Sequence, residues 1–328
     1  MSDETREAAE PKGTGVLKGT EVPSAPQVPG GGGRELTAGL TVLSAVVAVV
    51  SLLTGGLMAA VSLTDHVFGA WTSPEALTPG LIGAGMAGVA PGLFAVGRAR
   101  AWEEVRTLVV PTVIVLVGLF AVTVLNAGEL QAAVGGSLFL VLFSLGWVVV
   151  LALLASAAVV CVLLQYRRPA APRAAATVPM PGWSKPFLAV LGSGWLGIGA
   201  GLLFLPGFWA EFVPWTVGRA DAQGLGVWGL ALGAGVLGSL AEDDLARVRP
   251  ALIAVPGVAV AAALVLAAHA SEVDWSSGPG LCLVALLTGL LSTGLSGEWI
   301  RRRATTAHSR QDPAEAEGPS SGSGPDGP

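Results

Sequence analysis

Basic residues recur in only every second gap between eight long stretches that carry no Asp, Glu, Lys or Arg, and this alternation constrains the chain more than any motif. The stretches run about 37–63, 76–97, 107–128, 134–165, 187–206, 222–241, 250–270 and 279–297. Most reach the roughly 20 residues an α-helix needs to cross about 30 Å of hydrocarbon. A backbone surrounded by lipid must satisfy its own polar groups, which a helix does within one segment. Hydrophobic residues make up 52% of the chain and charged residues 12%, about half the share usual in soluble domains. The expected fold class is an all-α membrane protein with eight transmembrane helices.

The gaps then orient it. Seventeen of the 18 Lys and Arg residues lie in the N-terminal tail, in the second, fourth and sixth gaps, or in the C-terminal tail, and only Arg219 lies elsewhere. Cytoplasmic loops keep positive charge, so both termini are expected in the cytoplasm of a multi-pass plasma-membrane protein. The other gaps face outward and hold Asp65, Glu75, Glu129, Glu211, Asp221, Glu272 and Asp274. Residues 1–36 and 300–328, rich in Gly, Pro, Ser and Glu, read as disordered cytoplasmic tails, and the Pro- and Ala-rich segment 166–185 as a cytoplasmic linker.

That linker divides two similar halves, 37–165 and 186–299. At an offset of 144, Gly55, Phe68, Trp71, Thr72, Gly80 and Gly85 fall on Gly199, Phe212, Trp215, Thr216, Gly224 and Gly229. After a one-residue gap the offset becomes 143, and Arg106, Glu129 and Gly135 fall on Arg249, Glu272 and Gly278. Four helices is an even number, so both halves enter the membrane in the same sense, as two parallel four-helix repeats. Gly88 and Gly92, Gly197 and Gly201, Gly229 and Gly233, and Gly289, Thr293 and Gly297 lie four apart. Small residues at that interval let helices approach closely in lipid and favour a tight bundle.

Half of the 20 aromatic residues are Trp. Trp71, Trp209, Trp215 and Trp275 at outer helix ends, and Trp102, Trp183 and Trp299 at inner ends, read first as interfacial anchors. Trp147, Trp195 and Trp228 fall inside spans, where an indole N–H wants a partner, and are the better candidates for a cavity wall. The two cysteines, Cys161 and Cys282, fall toward opposite membrane faces and read as packing residues.

No ionisable residue falls inside the membrane-embedded spans, which argues against ion-coupled transport, and no phosphate-binding, hydrolase or zinc-protease motif occurs. No cofactor, catalytic residue or metal site is assigned. The run His269-x-x-Glu272-x-Asp274 has metal-ligating side chains, but acids on an outer rim are ordinarily solvated. A ligand site, if the chain has one, is expected at the outward side near Trp71, Glu129, Trp215, His269 and Glu272, because both halves keep an aromatic at one outer helix end and an acid at another. The partner implied by composition is the lipid bilayer. Arg301, Arg302 and Arg303 after the last span suit anionic headgroups at about 1 kcal/mol each.

Tryptophan-bearing outer loops, Arg106 and Arg249 at the start of each half's third helix, and an Ala-, Gly- and Val-rich composition with Arg exceeding Lys resemble polytopic integral membrane proteins common in high-GC actinobacteria. The resemblance covers about residues 37–300 and implies a lineage but no activity. Three function classes stay open: a non-enzymatic bundle with an accessory, scaffold or lipid-interacting role, which the sequence favours; a permease for a neutral or amphipathic molecule using a cleft between the halves; and an intramembrane enzyme, for which no nucleophile is found. A polar cavity reaching mid-membrane would favour transport, and glycine-packed helices the bundle.

Overall fold

Each uncharged stretch forms one long helix. The computed structural model describes residues 33–170 and 178–316, and its long helices are α1 (Ala38–Ser62), α2 (Leu77–Val96), α3 (Arg106–Leu125), α4 (Leu138–Tyr166), α5 (Ser184–Phe204), α6 (Arg219–Glu242), α7 (Arg249–Ala268) and α8 (Gly278–Ala316). All eight are long and apolar enough to span a membrane, and no strand occurs among the described residues. The outer faces carry what lipid requires: Leu142, Leu145, Val149, Leu153, Val160 and Leu164 of α4 are all exposed. The chain is an integral membrane protein.

Three boundaries differ from the sequence reading. The stretch 134–165 begins one turn later as helix, because Gly135 adopts φ 83°, a left-handed backbone that glycine tolerates, and Ser137 then caps α4 by accepting from the Leu140 N–H. Helix α6 is longer than its uncharged stretch and takes in Asp221 in its first turn and Glu242 as its last residue, both buried. Helix α8 runs past Arg303 to Ala316, so part of the segment expected as a tail is helical. Residues 1–32, 171–177 and 317–328, on which the remaining tail and linker expectations fall, lie outside the described residues.

Packing ties the halves together. The extensive interfaces are α1 with α2, α5 with α6, α2 with α7, and α3 with α6, so two of the four cross between halves. Backbone contact explains them. A Cβ on Gly88 of α2 would lie 2.6 Å from the Val258 backbone of α7, and one on Gly199 of α5 would lie 2.6 Å from Gly229 of α6. Of the expected glycine pairs, Gly88 and Gly92 face α7 and Gly229 and Gly233 face α5, whereas Gly197 has nothing within 4 Å. Prolines fit the same surfaces, Pro111 against Gly235 and Pro256 against Gly294. Helix α1 contains a π-helical turn, Ser51–Gly55, of the kind that inserts one residue into an α-helix.

Backbone hydrogen bonds join the loops at each end. At the end bearing the acids, Gln131 N–H donates to Ala70 C=O (3.0 Å) and Asp274 N–H to Pro214 C=O (2.8 Å). At the opposite end, Leu36 N–H donates to Arg100 C=O and Trp102 N–H to Arg34 C=O; Met180 N–H likewise donates to Asp243 C=O and Leu245 N–H to Val178 C=O.

Candidate functional site

The loops after α1, α3, α5 and α7 meet in one acidic rim, where the five residues expected to form a ligand site divide among separate contacts. Trp71 is buried and donates its indole N–H to Asp221 Oδ1 (2.8 Å), which also accepts from the Ser73 hydroxyl (2.8 Å). Trp215 is buried and donates to Thr78 Oγ1 (2.9 Å). Each of these tryptophans thus crosses to the first turn of the other half's second helix. They are not headgroup anchors: a satisfied, buried indole stabilises packing, at roughly 1 kcal/mol for its hydrogen bond. Glu129 is half-buried, and its backbone carbonyl accepts from the Thr72 N–H (2.9 Å).

His269 and Glu272 belong together. His269 is 4% exposed, its Nδ1 lies 2.9 Å from Glu272 Oε1, and its Nε2 lies 3.1 Å from the Ser62 hydroxyl and 3.0 Å from the Ser62 carbonyl. At the matching place after α3, Asn126 donates through Nδ2 to Gln223 Oε1 (2.7 Å) and to the Val122 carbonyl. Asp65, at the end of α1, brings its carboxylate within 4.8 Å of both His269 and Glu272. Along the sequence Asp65 and Asp221 read as ordinary rim acids. Nothing in one dimension shows that Trp71 reaches across 150 positions to Asp221.

Below the rim, the space between helices is apolar. One cavity of about 420 Å³ is walled by all eight helices, so that both halves line it, with Ser51, Met86, Thr107, Leu151, Leu188, Val236, Leu252 and Gly297 on its wall. A second, of about 510 Å³, lies between α2, α5, α6, α7 and α8 closer to the acidic rim, with Gly85, Ile198, Phe212, Ala262, Cys282 and Leu286 on its wall. Trp228, Leu232 and Val258 line both. No charged side chain lines either cavity. The indole N–H groups of Trp195 and Trp228 are buried without a hydrogen-bond partner, so two of the three intraspan tryptophans do form a cavity wall. The third, Trp147, instead donates to Thr123 Oγ1 (3.1 Å) and packs edge-on against Trp71.

The opposite end is held by ion pairs. Arg106 at the start of α3 pairs with the buried Glu242 at the end of α6. Trp102, expected as an anchor, is 1% exposed and meets Tyr166 edge-on. Past the last span, Arg301 and Arg302 both hold Glu298, and the Arg303 guanidinium stacks 3.6 Å over the Trp299 ring. Comparison with known protein families, curated proteins and solved structures finds no match for this chain.

Proposed function

We propose that this protein is a non-enzymatic, lipid-interacting membrane bundle that lodges a hydrocarbon chain between α5 and α8. The observation that carries the reading is the pair of adjoining cavities with no charged side chain on their walls. Volumes of about 420 and 510 Å³ fall in the range of roughly 300–1,000 Å³ typical of small-ligand pockets. Beyond a few hydroxyls and the indole N–H groups of Trp195 and Trp228 the walls offer a polar solute no partners, and each buried group left unmet costs about 1–3 kcal/mol, whereas an acyl or isoprenoid chain loses none. The glycine contacts between α2 and α7, and the absence of charge from the cavity that both halves line, favour the bundle over a permease with a polar cleft between its halves. Native mass spectrometry of the detergent-extracted protein tests this. Retained lipid is expected, and less of it in Cys282→Trp, which fills the second cavity from an exposed position on α8. A lipid-free wild type, or undiminished lipid in the variant, would overturn the reading.

The same proposal includes two parallel repeats with both termini cytoplasmic. It is supported by hydrogen bonds that recur at the sequence offsets of 144 and 143: Ala70 with Gln131 and Pro214 with Asp274, Leu36 with Arg100 and Met180 with Asp243, Arg34 with Trp102 and Val178 with Leu245. Reporter fusions after Arg168 and Arg303 should read cytoplasmic, and fusions after Glu75 and Asp274 external. A cytoplasmic signal at Asp274 would break both orientation and repeat.

A further inference from the structure

The turn after α7 meets the end of α1 in a cluster whose donors do not balance its acceptors. Asp65, His269 and Glu272 each offer one ligating atom, and all three atoms lie within 4.8 Å of one another. The hydrogen bonds around His269 assign its hydrogens. Ser62 Oγ donates to the Ala76 carbonyl (2.8 Å), so toward His269 both Ser62 oxygens are acceptors, and Nε2 must be the N–H that serves them. A neutral imidazole then points the Nδ1 lone pair at Glu272 Oε1, 2.9 Å away. Two acceptors facing each other need something between them. The second carboxylate oxygen, Glu272 Oε2, is buried and has no hydrogen-bond partner.

A bridging proton satisfies Nδ1 and Oε1 but leaves the buried Oε2 without a partner beside a second carboxylate, Asp65. A divalent cation satisfies all of them. An imidazole whose other nitrogen donates to a backbone carbonyl is the arrangement that fixes the tautomer and orientation of a metal-ligating histidine. One imidazole and two carboxylates form a ligand set that zinc accepts, with Zn–N and Zn–O distances of roughly 2.0–2.2 Å. Asp65 is exposed, so solvent reaches the cluster from the rim. We infer that Asp65, His269 and Glu272 bind a divalent transition-metal ion of the zinc class, joining the end of α1 to the end of α7. The position matching His269 in the first half is Asn126, whose amide is already bonded to Gln223, so the first half does not repeat the site.

Zinc binding to the full-length protein in detergent, measured by calorimetry after chelator treatment and checked by elemental analysis, tests the site. One zinc per chain is expected, with at least a tenfold loss of affinity in Asp65→Asn and in Glu272→Gln. Added zinc should also raise the thermal unfolding midpoint of the wild type and leave that of Asp65→Asn unchanged. Because Asp65 is exposed, its variant is expected to fold even if His269→Gln does not. Absence of stoichiometric zinc, or an Asp65→Asn protein that binds it as tightly as the wild type, would overturn the inference.

Discussion

The fourth helix of each half shows how two similar sequences come to differ in space. In the first half, α4 packs along α3 and against α1, and side-chain contacts hold it at three levels, two of them polar. Trp147 donates to Thr123; Gln165, fully buried, accepts from the Thr37 N–H (3.0 Å) and donates to the Glu35 carbonyl (2.9 Å); Phe143 packs on Phe68. In the second half, α8 packs on α7 but touches α5 only lightly, and both apolar cavities border the gap. At the offset of 143, Trp147 and Thr123 correspond to Leu290 and Leu266, which have no hydrogen bond to exchange. Between helices that lipid solvates as readily as they solvate each other, association rests on packing and interhelical hydrogen bonds. Toward α7 packing alone suffices, with Leu290 fully buried, and it is only from α5 that α8 stands off.

The comparison can be broken most forcefully at the interface both halves share. Gly88→Ala should lower stability by about 1–3 kcal/mol through overpacking, since its Cβ would lie 2.6 Å from the Val258 backbone; thermal unfolding in detergent measures this. Close behind, Gln165→Leu should cost about 1–3 kcal/mol by leaving the Thr37 N–H and Glu35 carbonyl without their partner, and cross-linking should then report a looser contact between α1 and α4. A sharper contrast comes from two tryptophans. Trp147→Phe should cost about 1 kcal/mol for its bond to Thr123, whereas the same substitution at Trp228, whose N–H is unpartnered, should cost less. Equal costs would remove the distinction between a clamped half and an open one. Smallest of all, Gly197→Ala should be neutral or stabilise by up to about 1 kcal/mol, because nothing lies within 4 Å of the added methyl.

Much of this architecture was legible in one dimension. The absence of charge over eight stretches determined eight helices, because hydrocarbon leaves a backbone no other way to satisfy its polar groups. Glycine spacing correctly marked Gly88, Gly92, Gly229 and Gly233 as contact points and wrongly included Gly197, since composition cannot tell which face of a helix meets a neighbour. The rim residues were legible as residues but not as partners. Trp71 and Trp215 had the composition of anchors and became buried donors to Asp221 and Thr78, while His269 and Glu272 gained Ser62 and Asp65 from a helix some 200 positions earlier. Periodicity and charge act locally along the chain, and so the sequence alone determined the spans and their distribution of basic residues. Which polar atoms meet depends on how α2 seats on α7 and α3 on α6, and only the tertiary structure decided that, together with where α8 stands off α5 and leaves an apolar groove.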